Sequence, residues 1–351
     1  PGAVLLDSGR PGAERGRYDI LSAWPLAVLA PGRDESANDF LARLRQGLHS
    51  LGPATLPAGY ELPFVGGLLG YLAYDFGRRL ESMANPAIDD LGLADAHLGL
   101  YAWAVISDHQ RGTSQLVCHP RLPATERERL LSLLQQPAPD TRPAFRLLAR
   151  FNADTPRERY QQAIAAIQAY ILAGDCYQVN FAQRFRAPCQ GDPWTAYRAL
   201  RDACPTPFAG YLRLGEDSAI LSLSPERFLR LHQGTVETRP IKGTRPRHSE
   251  PEADAALANE LLASTKDRAE NLMIVDLLRN DLGRSCRPGS VQVPELFALE
   301  SYPNVHHLVS SVTGTLAADK DALDLLAGSF PGGSITGAPK IRAMQIIDEL
   351  E

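Results

Sequence analysis

The residues best suited to chemistry lie in one basic segment, Glu237–Arg247, which reads ETRPIKGTRPR. Lys242 stands there among three arginines, Arg239, Arg245 and Arg247. Nearby cations disfavour the ammonium form of a lysine, and the neutral amine is a nucleophile. The same cations would hold an anionic substrate beside it. The alternative interpretation is a basic loop that faces solvent.

Three acidic residues and a histidine are the next candidates. Glu226 follows a predicted strand, where it is either a catalytic group or a solvated turn residue. Glu270 continues the apolar stripe of a helix predicted over about residues 265–284, and Asp267 precedes it by one turn. Two such carboxylates share a helix face and suit Mg²⁺, or else they form salt bridges to nearby arginines. His307 begins a strand-like run and is either an acid–base group or a core histidine.

A glycine-rich loop, Phe330–Lys340, leads into a helix predicted over about residues 338–350. The loop contains three glycines, two hydroxyl side chains and the start of a helix, where backbone N–H groups are free. These features predict an anion site, to which Lys340 would add a positive charge.

The elements that must position these residues fall into three sections along the chain. Residues 1–120 are predicted to be strand-rich, residues 121–150 to form a linker with Pro137, Pro139 and Pro143, and residues 151–351 to hold the candidate site. The strands predicted in the first section are Ala3–Leu6, Tyr18–Ala23, Leu26–Leu29, Gly67–Ala73, Leu98–Ile106 and Ser114–Cys118. A helix is predicted over residues 36–49.

The third section opens with a helix that begins near Pro156 and ends at Gly174. From Tyr177 the apolar period changes to two, which predicts a strand. One face of that strand is polar, and it either lines a cavity or faces solvent. Its residues are Gln178, Asn180, Arg184 and Arg186.

Composition excludes several classes of protein. The chain has 351 residues and a net charge of −5, from 36 basic and 41 acidic side chains. That balance gives no general attraction to nucleic acid, and no apolar run is long enough to span a membrane. The five cysteines are odd in number and contain no CxxC motif, so we expect reduced thiols in a cytoplasmic protein. No signal peptide is evident.

Six motifs, in this order along the chain, resemble the chorismate-utilising enzymes. They are Gly174–Asn180, Ser224–Glu226, Pro240–Thr244, Ala269–Arg284, Val305–Ser310 and Gly332–Lys340. The resemblance covers essentially the whole chain and is looser before residue 151. Alanine typically precedes Gly-Thr or Gly-Ser in the anthranilate, isochorismate and salicylate synthases of this family. Lysine at position 242 is instead similar to the branch that makes 4-amino-4-deoxychorismate for para-aminobenzoate and folate synthesis.

The resemblance implies an α+β fold with two large antiparallel β-sheets packed across each other and helices outside. It also implies that Lys242 attacks C2 of chorismate and that ammonia then adds at C4 and expels the lysine. Glu226 would accept a proton, and His307 would be a general acid or base. Glu270, with Asp267, would hold Mg²⁺. The implied substrate-binding residues are Gly243, Thr244, Ser334, Gly337, Ala338 and Lys340.

Partners follow from the same resemblance. Ammonia would come from a separate glutamine amidotransferase, because no cysteine here lies in a Gly-x-Cys-x-Gly turn. Some relatives bind tryptophan in the N-terminal section, where Leu5–Ser8 and Tyr211 would contribute. The family continues past Glu351 with further strands, a substrate-binding arginine and two more metal-binding glutamates. We expect a fragment, and a polypeptide that truly ended there would be inactive and poorly folded.

Two alternatives remain open at this point. One is an enzyme like component I of anthranilate synthase, against which Lys242 argues. The other is a non-catalytic relative with the same fold. Glu270 argues against that second alternative, because a scaffold has no need of a carboxylate on an apolar helix face.

Overall fold

The computed structural model describes residues 2–13, 16–54, 56, 59–81, 83, 89–137, 143–216 and 218–351. Its helices are α1 (Ala37–Leu51), α2 (Phe76–Leu80), α3 (Ala124–Leu134), α4 (Arg157–Ala173), α5 (Pro193–Ala203), α6 (Pro251–Ala263), α7 (Thr265–Gly283), α8 (Ala322–Ser329), α9 (Gly333–Thr336) and α10 (Lys340–Leu350). No helix of the described residues is long and apolar enough to cross a membrane.

The strands of the described residues are mostly short. They are β1 (Val4–Asp7), β2 (Tyr18–Ser22), β3 (Ala27–Leu29), β4 (Gly67–Leu72), β5 (Ala96–Tyr101), β6 (Trp103–Asp108), β7 (Thr113–Cys118), β8 (Arg146–Leu147), β9 (Asn152–Ala153), β10 (Gln178–Val179), β11 (Phe185–Arg186), β12 (Cys189–Gln190), β13 (Phe208–Arg213), β14 (Ala219–Ser224), β15 (Arg230–His232), β16 (Thr235–Thr238), β17 (Ile241–Pro246), β18 (Gln292–Ser301), β19 (Val305–Thr315) and β20 (Gly337–Ala338).

The chain folds into two compact units that interleave along the sequence. The first consists of Pro1–Phe76, Leu93–Arg150 and Ala187–Pro225, and the second of Gly77–Gly92, Phe151–Arg186 and Glu226–Glu351. The sections predicted from the sequence are contiguous, so their bounds differ from those of the two units. The difference arises because β13 and β14 pair with β1, which brings residues from the middle of the chain to its beginning.

The first unit contains a six-stranded antiparallel sheet in the order β14-β13-β1-β2-β6-β7 and a three-stranded sheet in the order β3-β5-β4. The prediction of a single strand over Leu98–Ile106 is wrong. It breaks at Ala102 into β5 and β6, which belong to different sheets. Ala102 and Trp103 are both buried, so no polar residue marks the break in the sequence.

The second unit is built around β19, the central strand of a five-stranded antiparallel sheet. β16 pairs with the second half of β19, β17 pairs with its first half, and β18 pairs along most of its length. Helix α7 packs on this sheet through an apolar stripe. The stripe and the sheet share one core cluster, which includes Val236, Ile274, Val275, Leu278, Leu282 and Val312. This sheet and α7 carry most of the candidate site.

The strand predicted from Tyr177 onward is much shorter than expected. Only β10 and β11 form there, and they pair with different partners, β20 and β9. Arg184 and Arg186 form ion pairs with Asp90 and Asp154. The predicted polar face is therefore not continuous. Its arginines form ion pairs with carboxylates, whereas Asn180 contacts the glycine-rich loop.

Candidate active site

Lys242 lies in an irregular part of β17. The pairing between β17 and β19 shifts register between Ile241 and Thr244, so Lys242 and Gly243 form a bulge. Gly243 has a φ of +89°, and a Cβ there would lie 2.9 Å from atoms of Asp267 and Leu261. Bulges redirect side chains and are common beside active sites. Here the bulge requires glycine after the lysine and sets the direction of the lysine side chain.

The amine of Lys242 is largely buried, with 13% of the side chain exposed. Its Nζ donates a hydrogen bond to the carbonyl oxygen of Ser334 at 3.3 Å. The nearest carboxylate in an ion pair is Glu270, whose Oε1 lies 3.9 Å from Nζ. The lysine is therefore held at the glycine-rich loop and not in solvent, which argues against the basic-loop interpretation.

The three arginines of the basic segment are all paired with carboxylates. Arg239 pairs with Glu295 and Glu300, Arg245 with Glu260 and Asp267, and Arg247 with Asp254. These carboxylates offset the positive charges that the sequence places near Lys242. The polar contacts of the lysine amine are instead with the Ser334 carbonyl and Glu270.

Glu226 is the carboxylate most altered by this environment. Burial raises its pKa above the usual value. A hydrogen bond with the Ser334 side chain, the charge of Lys242 and a backbone hydrogen bond at Ile241 act in the opposite direction, and burial prevails. A carboxyl group with a raised pKa is better suited to exchange protons near neutral pH than an ordinary glutamate.

The two adjacent histidines have different environments. His306 is buried and bonds Ser301 through Nδ1 at 2.8 Å and Asp254 through Nε2 at 3.0 Å, so it is a core histidine. His307 is only half-buried, and its Nδ1 lies 2.9 Å from Thr244 Oγ1. Burial lowers the pKa of His307, although a hydrogen bond to the backbone of Gly243 partly opposes this. His307 is therefore mostly neutral near pH 7 and adjoins the bulge that carries Lys242.

The two carboxylates predicted to hold Mg²⁺ are not equally suited to it. Asp267 Oδ2 lies 3.2 Å from a guanidinium nitrogen of Arg245, and its Cβ packs beneath Gly243. Glu270 is one-third exposed and has only the long contact to Lys242 among its ion pairs in the described structure. No group of three or more His, Cys, Asp or Glu side chains in the described residues forms a metal site. Glu270 fits as a single carboxylate ligand, in the manner of Mg²⁺ sites completed by substrate and water.

Ser334 is the central residue of the glycine-rich loop. Its carbonyl oxygen accepts hydrogen bonds from Lys242 and, at 3.0 Å, from Asn180 Nδ2, while its side chain reaches Glu226. Gly337 and Ala338 are buried and form β20, which pairs with β10. These two residues support the loop through their backbone, and Ser334 is its member nearest the lysine.

Lys340 forms contacts that were not predicted. Its Nζ contacts Asp281 Oδ2 at 2.8 Å and the carbonyl oxygen of Ser329 at 2.9 Å, and both charged side chains are buried. These contacts use two of the three N–H donors of the ammonium group inside the protein. The contacts that the structure shows for Lys340 are therefore structural and tie α10 to α7, and its predicted substrate contact stays a prediction.

Three polar residues with contacts in the site or behind it were not predicted: Asn180, Asn271 and Asp281. Asn180 had been assigned only to the polar face of a strand. Asn271 and Asp281 are buried on the inward side of α7. Their spacing from Ile274, Val275, Leu278 and Leu282 is the signal that would have found them, since polar residues on a buried stripe require partners.

The sequence of this chain is similar to those of several known enzymes. Residues 3–351 match the family described as chorismate binding enzyme. Aminodeoxychorismate synthase component 1 of Klebsiella aerogenes is 49% identical across 100% of this chain and 79% of that protein. The protein of the same name from Escherichia coli K12 is 46% identical across 100% and 78%. Anthranilate synthase component 1 of Thermus thermophilus is 45% identical across 82% and 63%.

Solved structures agree with these matches. Anthranilate synthase component I from Streptococcus pneumoniae superposes with a TM-score of 0.82 at 29% identity, covering 96% of this chain and 77% of that one. The menaquinone-specific isochorismate synthase of Escherichia coli has a TM-score of 0.72 at 16% identity, covering 100% and 73%, and supports the fold alone. The expected α+β fold with antiparallel sheets is confirmed. The chain belongs to the chorismate-binding enzyme family.

Proposed function

We propose that this chain aminates chorismate at C4 to give 4-amino-4-deoxychorismate through a covalent intermediate on Lys242. The observation that carries the proposal is a largely buried lysine amine in a β-bulge, held by the Ser334 carbonyl near a carboxyl group with a raised pKa. Relatives named aminodeoxychorismate synthase component 1 at 46% to 49% identity support this activity.

The reaction consists of two displacements. Lys242 Nζ forms a bond to C2 of chorismate while the ring double bond shifts and the C4 hydroxyl leaves as water. Ammonia then forms a bond to C4, the double bond shifts back, and the bond between C2 and Nζ breaks. Covalent catalysis of this kind divides one difficult displacement into two easier ones. The sum is chorismate plus ammonia giving the 4-amino product plus water.

Glu226 and His307 are the groups that transfer protons in this mechanism. Glu226 accepts a proton from the attacking amine, since its hydrogen bond with Ser334 places it at the residue that also holds Lys242. His307 serves as general acid or base beside the bulge, where it is hydrogen bonded to Thr244. A neutral histidine accepts a proton more readily than a charged one, and burial favours the neutral form.

Glu270 is our candidate ligand for Mg²⁺. Asp267 is a weaker candidate because it already forms a salt bridge with Arg245. When bound, Mg²⁺ would neutralise a substrate carboxylate and polarise the leaving region. Gly243, Thr244 and Ser334 remain the proposed substrate contacts of the bulge and loop. Gly337 and Ala338 would contribute only through the backbone that holds the loop in place.

The name component 1 in the relatives implies a second component, and we propose a glutamine amidotransferase that supplies ammonia. Tryptophan binding in the first unit also stays a proposal. Leu5 and Tyr211 do lie together there, in a cluster around the buried Tyr197. A cytoplasmic location likewise rests on the cysteine pattern alone, with all five cysteines free.

An enzyme that forms anthranilate is the second candidate, supported by the Thermus thermophilus relative at 45% identity. The two candidates predict different products, because amination at C2 without a lysine adduct gives the ortho isomer. Lys242 distinguishes them in the sequence, and the position of the amino group in the product distinguishes them in solution.

The test uses the intact polypeptide with Mg²⁺, chorismate and ammonium at mildly alkaline pH. Intact-protein mass is recorded for the wild type and for Lys242→Ala, and products are separated by chromatography. We expect a chorismate-derived adduct in the wild type, its absence in Lys242→Ala, and a 4-amino product. An ortho-aminated product, or an unchanged rate in Lys242→Ala, would overturn the proposal.

A further inference from the structure

Bulges lie on opposite sides of the central strand β19. β17 contains one, which includes Lys242. β18 shifts register against β19 twice, first between Gln292 and Glu295 and a second time between Glu295 and Ala298. Phe297 lies inside this second bulge with a φ of +59°, a conformation that a non-glycine residue rarely adopts. Regular ladder pairing fixes neither segment, so another interaction must hold them in place.

Asn271 and Ser310 lie between these irregular segments, and neither side chain is exposed to solvent. Ser310 Oγ donates to Asn271 Oδ1 at 2.5 Å, and Asn271 Nδ2 donates to the carbonyl oxygen of Leu308 at 3.3 Å. The backbone N–H of Phe297 donates to Ser310 Oγ at 3.1 Å. The Ser310 hydroxyl therefore satisfies the backbone at the β18 bulge and fixes the orientation of the Asn271 amide.

The same pair also reaches the segments that carry the candidate catalytic residues. The Ser310 N–H donates to the carbonyl oxygen of Pro240 at 3.2 Å, two residues before Lys242. Asn271 is adjacent to Glu270 on α7, and its acceptor, Leu308, is adjacent to His307 on β19. The side chains of Asn271 and Ser310 thus connect α7, β18 and β19, and the backbone of Ser310 adds β17. The connected positions lie one or two residues from Glu270, His307 and Lys242.

We infer that Asn271 and Ser310 are positioning residues that fix the Lys242 bulge relative to Glu270 and His307. The inference rests on the proposed function and adds to it the groups that hold the site in register. Burying two polar side chains is costly unless each is hydrogen bonded, and breaking one partner leaves the other unsatisfied. An apolar pair would remove the side-chain link between α7 and β19 and would leave the Phe297 N–H at the β18 bulge without its acceptor.

The two side chains are hydrogen bonded to each other and together join α7 to β19, so their effects on the reaction are expected to be non-additive. A misplacement of about 1 Å at a reacting group lowers rates by as much as about 100-fold. We expect Ser310→Ala and Asn271→Ala each to slow adduct formation on Lys242 by about 10-fold to 100-fold. The double variant should lose little more than either single variant.

The experiment compares these variants with Val312→Ala in the intact polypeptide. Val312 is a fully buried residue on the same strand and belongs to the apolar cluster shared with α7, so its truncation lowers stability without removing a hydrogen bond of the pair. Three quantities are measured at a temperature where all variants are folded: the denaturation midpoint, the single-turnover rate of adduct formation, and the rate at which acetic anhydride labels Lys242 as a function of pH.

We expect the labelling profile and the adduct rate to change in Ser310→Ala and Asn271→Ala and to stay near wild type in Val312→Ala at matched stability. Equal effects in all three variants, or an unchanged labelling profile with additive rate losses, would overturn the inference. Labelling of Lys242 does not depend on chorismate. Failure of the covalent mechanism would therefore appear as a missing adduct in the wild type, separately from failure of the positioning role.

Discussion

Burial and hydrogen bonds, rather than unpaired arginines, define the surroundings of Lys242 and Glu226. The arginines around Lys242 in the sequence are all held by carboxylates, while the lysine amine contacts a backbone carbonyl. Glu226 has a raised pKa because burial outweighs its favourable neighbours. The sequence predicts Lys242 and Glu226 as site residues, and the structure brings both to Ser334. The pairing of the arginines could not be predicted, since their carboxylate partners lie far away along the chain.

Glu226→Gln tests the proton-accepting carboxylate. The raised pKa of Glu226 means that its basic form is lost at a higher pH than for an ordinary glutamate, so the wild-type rate should fall as pH decreases through that pKa. Removing a general base typically costs about 10²-fold to 10⁴-fold in rate. We expect kcat to fall within that range and the acidic limb of the pH–rate profile to disappear.

Glu216→Gln is the control for Glu226, because Glu216 is exposed and belongs to the other compact unit. This variant should keep the rate and the pH profile of the wild type. An acidic limb that survives in Glu226→Gln would assign it to another group and remove Glu226 from its proposed role.

The sequence predicts the helices whose apolar residues repeat at helical spacing and whose ends are marked by a capping residue. Helix α4 ends at Gly174 in the left-handed conformation, as expected, and α7 buries Ile274 and Leu278. The break between β5 and β6 was missed because both sides of it are apolar and buried. The pair of Asp281 and Lys340 was missed because its members are 59 residues apart, and periodicity locates a buried charge without identifying its partner.

Gly243→Ala tests the bulge as a structural element. Gly243 and Gly234 both have positive φ, at +89° and +75°, but a Cβ at Gly243 meets Asp267 and Leu261 whereas one at Gly234 has nothing within 4 Å. Both alanine variants carry the cost of the strained backbone, and only Gly243→Ala adds overpacking, worth about 1–3 kcal/mol.

We therefore expect Gly243→Ala to lower the free energy of unfolding by about 1–3 kcal/mol more than Gly234→Ala, and to reduce adduct formation on Lys242. Chemical denaturation measures the first quantity and intact mass the second. Equal stability losses in the two variants would mean that α6 and α7 yield to the added methyl group.

Lys340→Met tests the buried pair that ties α10 to α7. The variant leaves the Asp281 carboxylate buried without a partner, which typically costs about 3–5 kcal/mol. Burial already raises the pKa of Asp281, and loss of Lys340 removes the two interactions with that lysine that oppose the shift. The folded variant therefore binds a proton more tightly than the unfolded chain, so its stability rises as pH falls.

Denaturant midpoints at several pH values check this prediction, with Asp281→Leu/Lys340→Met as the matched double variant. We expect the single variant to recover stability toward acidic pH and the double variant to be much less affected at neutral pH. A single variant that is equally unstable at all pH values would show that water reaches Asp281 once the lysine is gone.

At the scale of the whole molecule, the candidate site lies within one of the two compact units. Every proposed catalytic, metal and substrate residue belongs to the second compact unit. None of the five cysteines in the sequence lies in a Gly-x-Cys-x-Gly turn, so no nucleophile for glutamine hydrolysis is evident. We expect such a sequence to use free ammonia as its nitrogen donor.

We therefore expect the intact polypeptide, without any partner, to aminate chorismate with ammonium salts and to give no product with glutamine. Only neutral ammonia attacks C4, so the ammonium-dependent rate should rise with pH as the neutral fraction increases. Adding a glutamine amidotransferase component should make glutamine a donor near neutral pH, where free ammonia is scarce. Product formation is followed by chromatography and glutamate release in parallel. Glutamate release by the polypeptide alone would contradict the division of labour, because it would require a hydrolytic site within this family member itself.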